Sequence, residues 1–188
     1  MALIAETIVT TSSKNGDVHI APLGLIETEG GRWTIAPFKP SRTLDNLRDV
    51  PFAVANHTDD VRVYAGCLTG RRDWAVRKAD DVPGGVLESA LSHWELAVED
   101  VIEDDVRPRF VCRIAKVGNH APWTGYNRAQ AAVLECAVLV SRLKMLPAEK
   151  VESELKYLEI SIEKTAGPRE EEAWSWLMER IEAWRREG

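Results

Sequence analysis

The spacing of the apolar residues changes once along this chain, near Tyr126, and this change limits the folds that are open to it. Before residue 126, apolar and polar residues alternate in several short segments, which is the period of a half-buried β-strand. The two longest of these segments cover residues 92–101 and 109–117. The residues expected on one face are Trp94, Leu96 and Val98 in the first segment and Phe110, Cys112 and Ile114 in the second.

From residue 127 onward the apolar residues recur at steps of three and four, which is typical of one face of an α-helix. Pro147 and the pair Gly167-Pro168 divide this part of the chain into three. Proline is tolerated in the first turn of a helix, and glycine is favoured just after the last turn. The sequence therefore predicts three C-terminal helices. Their apolar stripes are Ala129, Val133, Cys136, Val140 and Leu143, then Val151, Leu155, Leu158 and Ile162, then Trp174, Leu177, Met178, Ile181 and Trp184.

The part of the chain before residue 122 carries the turn signals of an antiparallel sheet. Asn15-Gly16 lies between two β-type runs and is the strongest hairpin signal. A short helix is expected at T-L-D-N-L, residues 43–47, and a helical turn with an Asp or Thr cap at T-D-D-V-R-V-Y-A-G, residues 58–66. Strands and helices do not alternate, so the sequence predicts an α+β fold of about six strands followed by three helices. The expected division is residues 1–122 and residues 123–188.

The composition disfavours several classes of partner. Thirty acidic residues against 24 basic residues give a net charge of -6, so the chain lacks the positive field that attracts nucleic acid or anionic membranes. The N-terminus has no basic region of a signal peptide, and charged residues interrupt every apolar run well short of a membrane span. Cys67, Cys112 and Cys136 are odd in number and far apart, which disfavours a disulfide framework or a structural zinc site. We expect a cytoplasmic protein with no nucleic-acid or membrane partner.

The stretch F-K-P-S-R-T-L-D-N-L, residues 38–47, places hydroxyls and positive charges at the expected start of the short helix. Ser41 and Thr43 offer hydroxyls, Lys39 and Arg42 offer charge, and the first N–H groups of a helix add a partial positive field. Together these groups fit a phosphate dianion. The alternative is that Ser41 or Thr43 only caps the helix while both cations stay solvated. The residues alone leave both interpretations open.

The run I-A-P-L-G-L, residues 20–25, is a second candidate site, because Pro22 and Gly24 weaken a strand as a central member of a sheet. Glycine inside a strand often marks the close approach of a ligand or another backbone, so a flat ring could bind here. An edge strand with a bulge would explain the same pattern. The preceding V-T-T-S-S contains Thr10 and Thr11, which are either ligand contacts or ordinary strand residues.

The remaining polar features have ordinary structural interpretations. The histidines are dispersed and no pair has the spacing of a helical metal site, so we predict structural histidines and no metal. They are His19, His57, His93 and His120. Asp59-Asp60 fits a bound cation or a substrate amine, but also a helix N-cap. No nucleophile motif, phosphate-binding loop or Ser-His-Asp order is present to support a hydrolase or a phosphotransferase.

The ordered motifs E-T-I-V-T-T, A-P-L-G-L, P-S-R-T-L-D-N-L, N-H-T-D-D-V and Y-N-R-A-Q-A-A-V-L-E resemble a prokaryotic family of unknown function within the flavin-reductase-like, FMN-binding split barrels. The resemblance covers nearly the whole chain. It implies a six-stranded antiparallel split β-barrel that forms a homodimer, with FMN in a groove near the subunit interface. In similar barrels, two neighbouring strands hold the flavin ring and ribityl chain, and hydroxyls at the start of a short helix hold the phosphate. The matching positions are Thr10, Thr11, Ala21, Pro22, Leu23 and Gly24 for the ring and ribityl chain, and Ser41, Thr43 and Asn46 for the phosphate.

The resemblance also implies an FMN-dependent oxidoreductase that acts on a small soluble substrate by hydride transfer at flavin N5. The cofactor would carry that chemistry, which fits the lack of a catalytic motif, and no general acid or base is assigned. A-P-L-G stands where similar flavin reductases carry polar side chains, so we expect backbone contacts to the ribityl chain. Two alternatives stay open: a noncatalytic flavin carrier, and an interaction protein of a pterin-linked one-carbon pathway that has lost flavin. The helical tail is expected to pack on its own barrel or on that of the partner.

Overall fold

The fold was analysed in a computed structural model, which describes residues 2–187. The chain divides into two compact units, and each is described by itself. The first, the barrel unit, consists of Met1–Thr58 and Trp74–Pro122. The second, the helical unit, consists of Asp59–Asp73 and Trp123–Gly188.

The barrel unit is built on six antiparallel strands that close into a barrel in the order β1-β2-β3-β8-β7-β4. The tight turn between residues 12 and 18 contains Gly16, whose φ of 88° glycine adopts without strain. The alternating pattern predicted for the two long segments is confirmed, because their apolar faces point into the barrel core. The barrel strands are β1 (Ile4–Ser12), β2 (Val18–Thr28), β3 (Arg32–Ile35), β4 (Phe52–His57), β7 (Ser92–Ile102) and β8 (Arg109–Asn119).

Two smaller elements complete the barrel unit. Helix α1 (Arg42–Asp49) supplies Leu44 and Leu47 to the barrel core, which also contains Trp33 packed 4.9 Å from Trp94. Strands β5 (Val76–Lys78) and β6 (Gly85–Leu87) form a separate two-stranded sheet. The sequence analysis did not predict this sheet, because three-residue strands among Gly, Pro and Asp residues carry too little periodicity to be recognised.

The helical unit consists of α2 (Arg62–Leu68), α3 (Arg128–Ser141), α4 (Ala148–Thr165) and α5 (Pro168–Glu187). The three predicted C-terminal helices are confirmed, and Asn127 caps α3 by accepting N–H groups of Ala129 and Gln130. The predicted helical turn after T-D-D-V is α2, which clusters with the C-terminal helices. The core of this unit is apolar and includes Val133, Leu177 and Ile181, each with no exposed surface.

No helix among residues 2–187 is both long enough and apolar enough to cross a membrane. All three cysteines are buried, and burial raises the pKa of Cys67 to about 11. A thiol with so high a pKa is almost entirely protonated near neutral pH, so it is a poor nucleophile and a poor metal ligand.

Candidate functional site

The first turn of α1 carries the predicted phosphate site. Ser41 is the N-cap residue, and its Oγ accepts a hydrogen bond from the Leu44 N–H at 3.3 Å. Thr43 is buried, whereas the Arg42 side chain is exposed. Lys39 points elsewhere, because its Nζ donates to the Asp104 carbonyl oxygen at 2.7 Å. The helix cap is therefore present, and it leaves the Ser41 O–H free to act as a donor as well.

Asn46 and Thr11 are brought into direct contact, which ties α1 to β1. The Asn46 Nδ2 donates to Thr11 Oγ1 at 3.0 Å, and both side chains are buried. Thr10 faces the opposite side of the strand, where its hydroxyl donates to the Gly85 carbonyl oxygen of β6. Both side chains are thus engaged within the protein: the Thr10 hydroxyl donates to the backbone of the barrel unit, and the Thr11 hydroxyl accepts from Asn46.

The residues Ala21–Gly24 lie in the middle of β2 and are half-buried. They pair with β1 in an unbroken register from Val9–Ala21 to Glu6–Gly24, so the alternative of a β-bulge is wrong. Gly24 packs closely, because an added Cβ would lie 2.7 Å from Ile4 Cγ2 and the Ile4 side chain would have to shift. The pairing of β2 with β3 begins only at Leu25.

This late start leaves one edge of β2 open. Within residues 2–187, no strand pairs with the edge of residues 21–24 that faces away from β1. Unpaired backbone N–H and C=O groups at such an edge are available to a ligand or to another chain. Helix α1 packs against both β1 and β2, the two strands that carry the other predicted residues. The arrangement combines an open strand edge with a capped helix start that carries hydroxyls.

The barrel strands also carry a polar cluster that was not predicted from the sequence. His93 lies between Glu95 and His120: its Nε2 is 3.3 Å from Glu95 Oε1, and its Nδ1 is 2.8 Å from His120 Nε2. Arg77 Nη2 lies 3.0 Å from His120 Nε2. The available signal was S-H-W-E, because two ionisable residues occupy the face opposite the apolar Trp94 and Leu96. No group of His, Cys, Asp or Glu within the described residues has the arrangement of a metal site.

An open concavity of about 640 Å³ lies elsewhere on the barrel unit. It contains none of the predicted site residues, and its wall combines two arginines with two glutamates. Thr28 Oγ1, on the same wall, is the one buried side-chain oxygen or nitrogen within residues 2–187 that lacks a hydrogen-bond partner. The lining residues are Glu27, Thr28, Glu29, Arg32, Thr34, Ile102, Arg109 and Val111.

Comparison with protein families gives a direct match for both parts of the chain. Residues 5–121 match the family model described as the N-terminal domain of a protein of unknown function (DUF447), and residues 127–179 match the second model of that family. The chain belongs to the DUF447 family. No curated protein matches this DUF447 chain.

Solved structures show the same fold. A crystal structure described as an FMN-bound DUF447 protein from Methanosarcina mazei is 20% identical, with a TM-score of 0.80 over 94% of each chain. The 2-nitrobenzoate 2-nitroreductase of Pseudomonas fluorescens is 16% identical, with a TM-score of 0.52 over 61% of this chain and 64% of the other. A putative flavin reductase with a split barrel domain from Shewanella frigidimarina is 8% identical, with a TM-score of 0.55 over 62% and 67%. The predicted split-barrel fold and family are confirmed.

Proposed function

We propose that this DUF447 protein binds FMN and uses it as an oxidoreductase on a small soluble substrate. The observation that carries the proposal is the packing of α1, whose first turn carries hydroxyls, against β1 and against β2, whose edge is open at residues 21–24, in a split barrel. The structural neighbours support it, because their descriptions include an FMN-bound family member, a nitroreductase and a flavin reductase.

The first turn of α1 fits the phosphate of FMN. Its free N–H groups and the Ser41 O–H can donate to phosphate oxygens, and the exposed Arg42 guanidinium adds positive charge. Thr43 and Asn46 lie on the same helix, but both are buried, and the Asn46 amide is bonded to Thr11. We therefore assign the direct phosphate contacts to Ser41, Arg42 and the backbone, and assign Asn46 to holding α1 on β1.

The flavin ring and ribityl chain would lie along Ala21–Gly24. This segment offers backbone groups on its unpaired edge and no side-chain hydroxyl, so the contacts would be those of the main chain. Bound FMN would supply hydride transfer. The protein would supply position and exclude water, which accounts for a site without a nucleophile.

We further propose that the protein is a cytoplasmic homodimer. The barrel unit exposes large apolar side chains, 40–59% accessible, of the kind that subunit interfaces cover: Leu3, Ile4, Phe38, Val101, Ile102 and Val106. Phe38 and Val106 belong to adjacent segments, since the Lys39 N–H donates to the Val106 carbonyl oxygen at 2.9 Å. Sedimentation velocity of the purified protein tests the dimer, and a monomer at micromolar concentration contradicts it.

The phosphate site is tested by Ser41→Asp. Aspartate is as good an N-cap as serine, so the helix is expected to remain stable, but its charge would repel a phosphate. We expect FMN affinity, measured by quenching of flavin fluorescence, to fall about 10- to 100-fold, because a charge-assisted hydrogen bond contributes roughly 1.5–3 kcal/mol. Riboflavin, which lacks the phosphate, should bind the wild type and the variant equally well.

Ser153→Asp adds the same charge to an exposed position on α4 and serves as the matched control, for which FMN affinity should be unchanged. If Ser41→Asp lowers the affinities for FMN and riboflavin equally, the phosphate of FMN does not bind at Ser41. Failure of the wild type to bind FMN at all would overturn the proposal. Anaerobic reduction of bound FMN by NADH or NADPH then separates an oxidoreductase from a noncatalytic carrier.

A further inference from the structure

Glu95 is a buried carboxylate with an unusually complete set of donors. Its side chain has no exposed surface, and its oxygens accept the backbone N–H groups of Asp80 at 2.9 Å, Asp81 at 2.7 Å and Val82 at 2.8 Å. Burial by itself would raise the pKa of Glu95, but these hydrogen bonds and the one from His93 outweigh it and lower the pKa. The side chain is therefore an anion inside the protein at neutral pH.

His93 is held against this anion in one orientation. Its side chain is 1% exposed, and its ring packs on Gly118 of β8, where any Cβ would overlap the imidazole. An ionised carboxylate only accepts hydrogen bonds, so the proton of a neutral His93 lies on Nε2, 3.3 Å from Glu95 Oε1. His93 Nδ1 is then an acceptor, and it faces His120 Nε2 at 2.8 Å.

His120 is the exposed end of this row. Its ring lies nearly parallel to that of His93, with 8° between the planes and 5.0 Å between the centroids. Since His93 Nδ1 accepts, His120 donates from Nε2, and its Nδ1 faces outward as an unprotonated base. Arg77 Nη2 lies 3.0 Å from His120 Nε2 and 3.4 Å from that Nδ1, so the guanidinium lies beside both ring nitrogens. Partial burial, followed by the charges of Arg77 and His93, lowers the pKa of His120, so the ring is neutral near pH 7.

We propose that the row Glu95–His93–His120 is a proton relay that makes His120 Nδ1 a general acid–base group, for a small substrate whose oxyanion binds Arg77. His120 Nδ1 takes a proton from the substrate, and the proton on its Nε2 passes to His93 Nδ1. The positive charge then lies on His93 beside the Glu95 carboxylate and away from Arg77. Donation back to the substrate reverses both transfers.

The charged groups around the relay support this direction of transfer. Lys116 Nζ lies 2.9 Å from the Asp80 carboxylate and 3.5 Å from the Asp81 carboxylate, so it offsets part of their negative charge. His57 is the other titratable group beside His93, and burial lowers its pKa, which keeps it neutral. Glu95 is thus the anion in direct contact with the histidine pair. None of the relay residues belongs to the FMN site proposed above, so the relay can be tested independently of flavin binding.

The wild-type protein tests the relay through its histidine tautomers. Long-range ¹⁵N–¹H NMR should show neutral His93 and neutral His120 both protonated at Nε2 at pH 8. These tautomers test the direction of the two hydrogen bonds on which the relay depends. A neutral His120 protonated at Nδ1, or a mixture of tautomers, would overturn the proposal without any variant being needed.

Glu95→Gln should reverse both tautomers. The amide NH₂ of glutamine would donate to His93 Nε2, so His93 Nδ1 would become the donor to His120, and His120 would carry its proton on the outward Nδ1. Carbethoxylation by diethyl pyrocarbonate, which needs an unprotonated ring nitrogen, should then slow about 10-fold or more at His120 at pH 8, because the outward nitrogen carries the proton and has no free lone pair. His19, half-buried on β2, is the internal reference in the same digest.

Unchanged tautomers and an unchanged rate in a folded Glu95→Gln variant would overturn the relay. If this variant does not fold, His93→Gln interrupts the same row of hydrogen bonds and should slow the carbethoxylation of His120 by the same factor. Inorganic phosphate is the probe for the oxyanion site. Phosphate should protect His120 from carbethoxylation in the wild type but not in Arg77→Gln. Equal protection in both proteins would show that Arg77 does not bind the oxyanion.

Discussion

The two units of this molecule bury very different kinds of side chain. Of the twelve polar or charged side chains that are buried within residues 2–187, ten belong to the barrel unit and two to the helical unit. The ten are Thr7, Thr10, Thr11, Ser12, Thr34, Thr43, Asn46, Asn56, His93 and Glu95. Burying polar groups lowers stability unless each is hydrogen-bonded, so their concentration in one unit indicates where specific chemistry is built.

The two exceptions in the helical unit serve helix ends. Asp60 precedes α2, accepts the Arg62 N–H at 3.2 Å and pairs with the Arg62 guanidinium at 2.7 Å. Glu170, in the first turn of α5, accepts the Gly167 N–H and the Gln130 amide, both at 3.1 Å. Both carboxylates satisfy donors at helix starts, which the helix dipole also favours. The stability of the helical unit therefore depends mainly on apolar packing. The stability of the barrel unit depends on apolar packing and also on the hydrogen bonds of its buried polar groups.

Among the variants that test this contrast, Leu177→Ala is expected to lower the free energy of unfolding the most. Leu177 has no exposed surface and lies in the apolar core of the helical unit, so its truncation leaves a cavity. We expect a loss of about 2–5 kcal/mol in the free energy of unfolding, with no dependence on pH. Denaturant unfolding measures the loss, and hydrogen exchange should locate it in α3–α5 rather than in the barrel strands.

Met145→Ala is the matched control for Leu177→Ala. Because Met145 is 79% exposed, its truncation should change the free energy of unfolding very little. Every residue of the proposed FMN site lies in the barrel unit, so flavin affinity of folded Leu177→Ala should equal that of the wild type. A loss below about 1 kcal/mol would show that the helical core is not well packed at this position.

A smaller, pH-dependent effect is expected from Glu95→Gln. The folded-state pKa of Glu95 is lowered, so its stabilisation is present above the ordinary value of 4.5 and is lost as pH falls through the folded-state pKa. At pH 7 the variant should be less stable by about 1–3 kcal/mol, since hydrogen bonds to a charged group contribute in that range. The deficit should shrink as the pH falls below 4.5.

Glu88→Gln is the control for Glu95→Gln, because it makes the same change at an exposed position of the barrel unit. Its stability should follow that of the wild type at every pH. A Glu95→Gln deficit of the same size at pH 3 and pH 7 would mean that the shape of the side chain matters and its charge does not.

Much of the fold could be predicted because the two units have different periods. The alternation that puts Leu96 and Phe110 into the barrel, and the helical spacing that puts Val133 and Leu177 into the other core, are both visible in the sequence. The short helix after F-K-P-S was predicted from its cap, and Ser41 does accept the Leu44 N–H. These features depend on residues close together in the chain.

What could not be predicted depends on partners that are distant in the sequence. Glu95 is ionised in the interior because N–H groups of residues 80–82 fold over it, and His93 meets His120 across 27 positions of sequence. The open edge of β2 follows from where its pairing with β3 begins, which no local pattern fixes. The sequence showed the residue types in S-H-W-E but not their register, and register decides which ionisable groups touch.

The smallest effect should come from the ion pair between Glu152 on α4 and Arg185 on α5. Its closest approach is 2.6 Å, and side-chain hydrogen bonding to Arg185 lowers the pKa of Glu152, yet both side chains are more than 40% exposed. Solvent screens such a pair, so a double-mutant cycle with Glu152→Gln and Arg185→Gln should give a coupling of only about 0.2–1 kcal/mol, weaker at high salt.

A second double-mutant cycle, with Glu154→Gln and Arg186→Gln, is the baseline. Glu154 and Arg186 are exposed residues of the same two helices and do not form an ion pair with each other, so this cycle should give no coupling. A coupling near 3 kcal/mol for Glu152 and Arg185 would contradict the contrast between the units. In that case polar interactions would stabilise the helical unit as strongly as they do the barrel, and burial would not be what distinguishes the two.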